Sequence, residues 1–172
     1  MSEQPLPPRK NLRLRSYDYS QCGGYFVTIC THNRRRILSQ ICRDDPCGRP
    51  KAVPSSLGLI AMEELQNIAQ KHGILVDYFA IMPDHIHMIL FFRDSEQNRP
   101  LGQFIGAYKS IVSNKWLNVC KSKGIVMGKL WQERYYDHII RNDADLDHVR
   151  AYIDTNPDRW LMKREAEEYK PG

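Results

Sequence analysis

The order of strand-like and helix-like segments constrains the fold of this chain most. Strands are indicated by β-branched and aromatic runs, and helices by apolar side chains three and four positions apart. The first six predicted elements give the βαββαβ order of a ferredoxin-like or RRM-like α+β fold, in which two helices cover one face of an antiparallel sheet. The elements are a strand at 24–31, a helix at 58–72, strands at 74–82 and 86–92, a helix at 101–122, a strand at 130–140 and a last helix that Asn142 caps and Pro157 interrupts.

The length and composition of the chain fit a single folded domain. Of its 172 residues, 42% are hydrophobic and 26% are charged, a balance that argues against a disordered chain. We expect a flexible basic N-terminal arm over residues 1–20, one domain over 21–162 and a charged tail over 163–172. Residues 42–56 hold three prolines and are predicted to form a loop.

The cysteine content and the hydropathy pattern predict a cytoplasmic protein without membrane association. No apolar run approaches the ~20 residues that a membrane span needs, and the N-terminal residues lack the apolar block of a secretory signal. Five cysteines without a Cys-x-x-Cys pair favour a reduced protein over a disulfide framework or a zinc knuckle. The net charge of +5 permits a polyanionic partner.

Two histidines open the third strand of the predicted sheet. Because side chains alternate along a strand, His85 and His87 point to the same face, and two imidazoles placed in this way can share one divalent ion. The same short pattern is also common for histidines that make separate hydrogen bonds. The pair alone therefore leaves both interpretations open.

A phenol and an amide lie four residues apart in the last predicted helix. Tyr152 and Asn156 therefore share one helix face, beside the apolar stripe of that helix. A phenol can act as a nucleophile, and an amide oxygen can bind a hard metal ion. The alternatives are an amphipathic ring at the edge of the core for Tyr152 and, because Pro157 follows, a helix N-cap for Asn156.

Two segments of the chain resemble the REP-associated tyrosine transposases, which belong to the HUH single-tyrosine transposases of the insertion-sequence type. The first segment is MPDHIHMIL at 82–90, and the second is LWQERYYDHIIRNDADLDHVRAYIDTNPDRW at 130–160. The likeness runs from about Tyr25 to Trp160, and the ordered pair of motifs is its specific part. The resemblance implies a ferredoxin-like fold, in agreement with the order of elements.

The resemblance also implies the residues of the site. In that family two histidines and an amide or similar residue from the last helix bind Mg²⁺ or Mn²⁺, and the matching positions are His85, His87 and Asn156. The tyrosine one turn before the amide attacks the phosphate, and it matches Tyr152 on the additional C-terminal helix. Related insertion-sequence transposases carry Gln in place of Asn156. The shorter side chain must bring the helix closer or bind the ion through water.

The implied activity is the cleavage and joining of single-stranded DNA at REP-like hairpins through a 5′-phosphotyrosine intermediate. A divalent ion offsets the charge of the phosphodiester and aligns it for in-line displacement. The covalent bond conserves the energy of the phosphodiester, so strand transfer needs no ATP. Because a phenol has a pKa of about 10, a base must help to deprotonate it, and His138 and Asp84 are the candidates.

Basic residues are the candidate contacts to the DNA backbone. Solvated surface positions are the alternative for the lysines, and a solvated strand edge is the alternative for the arginine run. We expect a protein that acts as a monomer or a homodimer. The basic residues comprise Arg34, Arg35 and Arg36 after the first strand, Lys109, Lys115, Lys121 and Lys123 on the second helix and its end, and Arg13 and Arg15 in the N-terminal arm.

Other interpretations of the same residues remain open. Tyr135 and Tyr136 are competing nucleophiles on opposite faces of a strand, but neither has an amide one helical turn away. A non-catalytic RRM-like domain that binds nucleic acid would use exposed aromatic residues such as Tyr25 and Phe26, and would leave the histidine pair without a purpose. A His-x-His phosphohydrolase requires a third histidine where this chain has Ile89.

Overall fold

The computed structural model of the protein describes residues 23–43, 49–92 and 100–168. None of the helices in these three ranges has the length and the apolar character that a membrane span requires. A short 3₁₀ turn, His32–Arg34, follows the first strand. The strands and helices in chain order are β1 (Gly23–Cys30), β2 (Ser39–Cys42), β3 (Lys51–Pro54), α1 (Ser56–Lys71), β4 (Leu75–Ile81), β5 (His85–Phe92), α2 (Leu101–Ser122), β6 (Tyr136–Ile140), α3 (Asp143–Asp154) and α4 (Asn156–Glu168).

Four of the strands form an antiparallel sheet in the order β4-β5-β1-β6. In chain order these strands are the second, third, first and fourth of the sheet, which is the strand order of a ferredoxin-like fold. The helices α1 and α2 connect the strands in the predicted positions. The predicted α+β class and the βαββαβ order are therefore confirmed.

The two faces of the sheet have different partners, because side chains alternate along each strand. Tyr25, Val27 and Ile29 of β1 belong to the larger core, which they share with α1 and α2. Phe26 points to the opposite face and packs against Val149 and Ile153 of α3. The sheet is therefore covered by α1 and α2 on one face and by α3 on the other.

The predicted strand at 130–140 is wrong in its first half. Regular pairing with β1 is confined to β6, and Trp131 makes only an isolated bridge with Thr31. The carbonyl groups at 132–134 accept hydrogen bonds from Nζ of Lys109. These carbonyls thus bind a lysine from α2 where carbonyls of a strand would bind a neighbouring strand. The apolar pattern of the segment does not indicate this lysine partner.

Regular structure is found in part of the predicted loop and in part of the predicted charged tail. In the predicted loop at 42–56, β3 pairs antiparallel with β2, although residues 44–48 lie outside the described residues. The four residues of β3 are too few to show a period, and Pro54 disfavours a strand. In the predicted charged tail, residues 163–168 continue α4.

The helical region after β6 is divided at a single residue, Thr155. Its N–H still donates to the carbonyl of Ala151 at 3.1 Å, but Pro157 has no N–H with which to continue the hydrogen-bond ladder. The predicted interruption at Pro157 is therefore the start of α4 and not the end of the helical region. Tyr152 and Asn156, predicted to share one helix, lie on α3 and α4 respectively.

The surroundings of two helical glycines lead us to expect opposite effects of a Gly→Ala substitution on the free energy of unfolding. A Cβ at Gly58 in α1 would lie 2.1 Å from the carbonyl oxygen of Leu38, whereas a Cβ at Gly106 in α2 would meet nothing within 4 Å. We expect Gly58→Ala to lower the free energy of unfolding by about 1–3 kcal/mol, because the backbone must shift. Gly106→Ala should raise it by about 0.5–1 kcal/mol through helix propensity. Urea denaturation followed by circular dichroism measures both, and equal stabilities would contradict this packing.

Candidate functional site

A cavity of about 920 Å³ lies between the sheet and the helices α3 and α4. Its walls come from β1, β5 and β6 on the sheet side and from both helices on the other. The structure therefore brings the predicted nucleophile, the predicted metal ligands and the two candidate bases to one place. The predicted site residues that line the cavity are Asp84, His85, His87, His138, Tyr152 and Asn156, together with Arg34.

The two histidines of β5 direct the same nitrogen atom of each ring towards one point. The Nε2 atoms of His85 and His87 lie 3.0 Å apart. On the other side of the rings, Nδ1 of His85 donates to Oδ1 of Asp84 at 2.5 Å, and Nδ1 of His87 lies 2.8 Å from Oγ1 of Thr28. Thr28 reaches His87 because the antiparallel register pairs these two residues. Such partners at Nδ1 fix the orientation of an imidazole and leave Nε2 free to bind a metal.

The carboxamide of Asn156 completes this group of atoms. Nδ2 of Asn156 lies 3.1 Å from Nε2 of His87, and only 7% of the residue is exposed. Rotation of the amide by 180° exchanges its nitrogen and oxygen, so the same position can present an oxygen ligand. The short side chain reaches the histidines directly because α4 begins at this residue, next to the sheet.

Burial keeps His87 in the neutral form. Removal from water is the main cause that lowers the pKa of His87 to about 3, and the neighbouring His85 lowers it further, while the hydrogen bond with Asn156 acts in the opposite direction. A neutral imidazole keeps a lone pair at the nitrogen that carries no proton. When Nδ1 carries the proton and donates to Thr28, the lone pair lies on Nε2. This tautomer can bind a metal through Nε2.

The donor atoms fit a divalent ion. Two Nε2 lone pairs that face each other at 3.0 Å repel unless a proton or a cation lies between them. Adjacent ligands of an octahedral ion with bonds of about 2.1 Å are separated by about 3 Å, which matches. In the part of the chain that the structure describes, no three His, Cys, Asp or Glu side chains are grouped to hold a metal. A metal site here therefore depends on the amide of Asn156 as its third ligand.

The ring of Tyr152 packs against His87 and Phe26. Its centroid lies 5.4 Å from that of His87 and 5.9 Å from that of Phe26, in edge-on geometries. The guanidinium of Arg159, on α4, lies 5.2 Å from the same ring centroid. The predicted nucleophile on α3 and the predicted metal ligands on β5 and α4 thus share one cavity.

The N-terminal end of α3 is fastened to the edge strand β6. Oδ1 of Asn142 accepts from the N–H of Asp145 at 2.9 Å, as an N-cap does. The carboxylate of Asp145 in turn accepts from the N–H of Arg141 at 3.1 Å and from Nε2 of His138 at 3.0 Å. The hydrogen bond from His138 is the main cause that lowers the pKa of Asp145. His138 therefore lines the cavity with Nε2 already committed to α3.

The C-terminal end of α3 is fastened to the other edge strand, β4. Arg150 donates two hydrogen bonds to the carboxylate of Asp77, the one from Nε at 2.8 Å. The hydroxyl of Tyr78 donates to Oδ1 of Asp154 at 2.8 Å, and this bond raises the pKa of Tyr78. The pairing of β4 with β5 shifts register between Val76 and Tyr78. Such a β-bulge changes the direction in which the neighbouring side chains point.

The three arginine side chains that follow β1 point in different directions. Arg34 lines the cavity and holds a left-handed backbone with φ of 52°. Arg35 donates to the carbonyl of Lys129, away from the cavity. Arg36 lies over the ring of Trp160, with its guanidinium carbon 5.5 Å from the ring centroid. Of these three predicted DNA contacts, only Arg34 belongs to the cavity itself.

The lysines predicted to contact DNA from α2 do not line the cavity. Of the lysines in the described ranges, only Lys163 does so. Lys115 donates to Oε1 of Glu64 at 2.5 Å, and Nζ of Lys109 is held by the carbonyls at 132–134. Burial lowers the pKa of Lys109 to about 8. DNA contact by Lys109, Lys115, Lys121 and Lys123 stays a prediction, and Arg13 and Arg15 lie outside the described residues.

Substitution of Lys109 distinguishes a structural role from DNA binding. We expect Lys109→Ala to lower the free energy of unfolding by about 1–3 kcal/mol, because the carbonyls at 132–134 lose a charged hydrogen-bond donor. Lys121→Ala, at an exposed position of the same helix, should leave it unchanged. Thermal melting gives the stabilities and a gel-shift titration with hairpin DNA gives the affinities. Unchanged stability together with lost DNA affinity would instead make Lys109 a DNA contact.

Some residues of the cavity were missed by the sequence analysis. Thr28 carries no motif, and only the pairing of β1 with β5 shows that it faces His87. Arg159, Trp160 and Lys163 follow Asn156 at intervals of three, four and seven residues, the spacing of one helix face. That spacing identifies one face only if a helix resumes at Pro157, and the expected interruption at Pro157 and the expected charged tail from residue 163 both obscured it.

The sequence of the chain matches the model of a transposase family. The family model described as "Transposase IS200 like" matches residues 20–156, so the chain belongs to the IS200-like transposases. Two proteins of Haemophilus influenzae strain Rd are similar to it. One, named only as uncharacterized, is 27% identical over 172 residues, 88% of this chain and 89% of its own length. The other, a candidate REP-associated tyrosine transposase, is 29% identical over 82 residues, 45% of this chain and 46% of its own.

Solved structures share the fold. A REP-associated tyrosine transposase bound to a REP hairpin superposes with a TM-score of 0.56 at 18% identity, over 92% of this chain and 74% of that one. A candidate transposase from Deinococcus radiodurans R1 gives a TM-score of 0.52 at 16% identity, over 83% of this chain and 95% of that one. The resemblance drawn from the two motifs is therefore confirmed at the level of family and fold, and the protein has the role of a transposase.

Proposed function

We propose that this transposase cleaves and joins single-stranded DNA, with Tyr152 as the nucleophile and a divalent ion held by His85, His87 and Asn156. One observation carries the proposal. The ring of Tyr152 lies 5.4 Å from the ring of His87, and the carboxamide of Asn156 lies 3.1 Å from Nε2 of the same histidine. A nucleophile and three metal donors around one cavity are the parts that phosphodiester transfer needs.

The proposed substrate is DNA that combines a hairpin with a single-stranded segment. A structural relative is bound to a REP hairpin, and the same class of DNA would bring a phosphodiester to this cavity. The cavity offers cations and aromatic rings together, including Arg34, Arg159, Tyr136 and Trp160. Such a combination suits single strands, because backbone phosphates and unpaired bases are then both bound.

The chemical step transfers the phosphoryl group from one oxygen to another. The phenol oxygen of Tyr152 forms a bond to phosphorus, and the bond from phosphorus to the 3′ oxygen breaks. The 3′ oxygen gains a proton, the phenol loses one, and the DNA 5′ end remains bound to the protein as a phosphotyrosine. The divalent ion, when bound, supplies positive charge at the phosphate. Attack by a 3′-hydroxyl reverses the step and joins strands.

The two candidate bases have different surroundings. Asp84 accepts from Nδ1 of His85 at 2.5 Å and lies 3.6 Å from Arg34, so we assign to it the orientation of His85. His138 lines the cavity beside α3 and remains our candidate for the group that takes the proton of Tyr152. The hydrogen bond to Asp145 orients its ring in the same way as partners orient other catalytic histidines.

A non-catalytic RRM-like function has less support. That function requires aromatic side chains of the central strands to stack on bases. Tyr25 is fully buried and Phe26 is 7% exposed, so neither offers a free face. Tyr136 is the exposed aromatic residue of the cavity, at 44%, but it lies on the edge strand β6. The buried histidine pair would also have no purpose in such a domain.

Substitution of Tyr152 tests the nucleophile. Incubation of the protein with hairpin DNA that carries a single-stranded flank, in Mn²⁺, should give a protein–DNA adduct that survives denaturant. Tyr152→Phe should reduce the adduct by at least about 1000-fold, because the attacking oxygen is lost, with DNA affinity retained. Tyr136→Phe is the matched control, because it removes the other cavity phenol. An adduct that survives Tyr152→Phe and disappears with Tyr136→Phe would transfer the role to Tyr136.

Substitutions at the Nδ1 partners test the metal site. We expect His85→Ala to abolish Mn²⁺ binding, and Asp84→Asn and Thr28→Val to weaken it by about 10–100-fold, because the rings lose their fixed orientation. Glu63→Gln, an equal change of charge at an exposed position of α1, should leave binding unchanged. Isothermal titration calorimetry without DNA measures these affinities. Full Mn²⁺ affinity in His85→Ala would place the ion elsewhere.

A further inference from the structure

One face of α4 carries positive charge into the cavity, and the proposed chemical step assigns no role to that charge. Arg159 and Lys163 lie one helical turn apart, and both line the cavity together with Asn156 at the start of the helix. Residues four apart on a helix share a face. The face that supplies the amide to the histidines therefore also directs two cations towards the same space.

Trp160 holds this face of α4 in place. The guanidinium carbon of Arg36 lies 5.5 Å from the centroid of its ring, and the ring of His85 lies 6.0 Å from it. A cation over the face of an indole is attracted by its quadrupole. The contact with His85 connects α4 to the histidine pair. Arg159 is the neighbour of Trp160 in the chain, so the packing of Trp160 also fixes the position of Arg159.

Arg159 contacts the proposed nucleophile, and its guanidinium has no carboxylate partner among the described residues. Its Cζ atom lies 5.2 Å from the centroid of the Tyr152 ring. Within the described residues, no carboxylate pairs with it, whereas Arg150, on α3, is paired with Asp77. An exposed, unpaired guanidinium beside a nucleophile is available to bind an anion. The anion that must come to this position is the phosphodiester that Tyr152 attacks.

We propose that Arg159 is a catalytic residue that binds the two non-bridging oxygens of the scissile phosphate, and that Lys163 binds a neighbouring phosphate of the same strand. The inference rests on the proposed function. The planar guanidinium matches two oxygens with two parallel hydrogen bonds, which an ammonium cannot do. Its charge, fixed before the reaction, offsets the negative charge that grows on these oxygens as the phenol oxygen attacks.

Rates of adduct formation in a single turnover test the role of Arg159. With saturating protein, hairpin DNA and Mn²⁺, we expect Arg159→Ala to slow the adduct by about 100–1000-fold, the effect of removing one preorganised donor. Arg159→Lys should recover only part of the rate, because it restores the charge without the two parallel donors. Lys163→Ala should act mainly on the dissociation constant of the DNA. Lys71→Ala, on the opposite side of the sheet, removes the same charge and should change neither.

Replacement of the charge on the DNA separates binding of the phosphate from support of the tyrosine ring. In a Tyr152→Phe background both DNAs stay intact and the ring under Arg159 is kept. We expect the additional Arg159→Ala to weaken binding of the phosphate DNA by about 10-fold, as for a hydrogen bond to a charged group. With a methylphosphonate at the scissile position, which is neutral, the same substitution should change the dissociation constant less than about twofold for at least one diastereomer.

Each outcome decides between the inference and its alternatives. An equal loss of affinity for phosphate and methylphosphonate DNA would show that Arg159 only supports the ring, and would overturn the inference. An adduct formed by Arg159→Ala at the wild-type rate would overturn it while leaving the proposed function intact. Absence of any adduct from the wild-type protein would overturn the proposed function itself. Thermal melting of Arg159→Ala and Arg159→Lys confirms that the compared proteins are folded.

Discussion

The attachment of α3 across the sheet is the constraint on which the site depends. The sheet supplies two imidazoles, but the phenol comes from α3 and the amide from the helix that follows it. At one end Asp145 joins α3 to His138 on β6, and at the other Arg150 joins it to Asp77 on β4. Because β6 and β4 are the two edges of the sheet, the helix is held over the central strands β1 and β5. The histidine pair lies on the second of these.

Burial gives the site its chemical character. The imidazoles, Asp84 and Asn156 are all at most 7% exposed, and unpaired polar groups at such positions would cost stability. Here the groups satisfy one another, through Asp84 with His85 and through Asn156 with His87. Low accessibility also lowers the pKa of His87 to about 3. The same packing therefore supports the fold and keeps a metal-binding nitrogen free of protons.

Local sequence patterns predicted the scaffold correctly, because α1 and α2 carry apolar residues at helical spacing and β4 and β5 are apolar runs that a short turn divides. The alternation of β5 likewise placed His85 and His87 on one face. The pattern failed where a side chain from a distant element decides local structure. Lys109 draws the carbonyls at 132–134 out of a strand, and no local feature of that segment reports a lysine more than twenty residues away.

The residues of the site were predicted partly from a wrong assumption about the last helix. Tyr152 and Asn156 were expected to meet because they share a helix face, yet they lie on separate helices and meet through the turn at Thr155. Thr28 could not be recognised because its role depends on strand register. Arg159 was hidden because the helix that presents it was interrupted by Pro157, and sequence patterns do not show how a helical region resumes after a proline.

The central claim is that one cation and one phosphate lie between the histidine pair and residue 152. The most direct measurement is a crystal structure of Tyr152→Phe with hairpin DNA and Mn²⁺, with anomalous scattering used to locate the manganese. The account predicts a manganese peak bounded by Nε2 of His85, Nε2 of His87 and the amide oxygen of Asn156, with the scissile phosphate between this ion and the ring at position 152. Manganese bound away from the histidines, or a scissile phosphate outside the cavity, would contradict it.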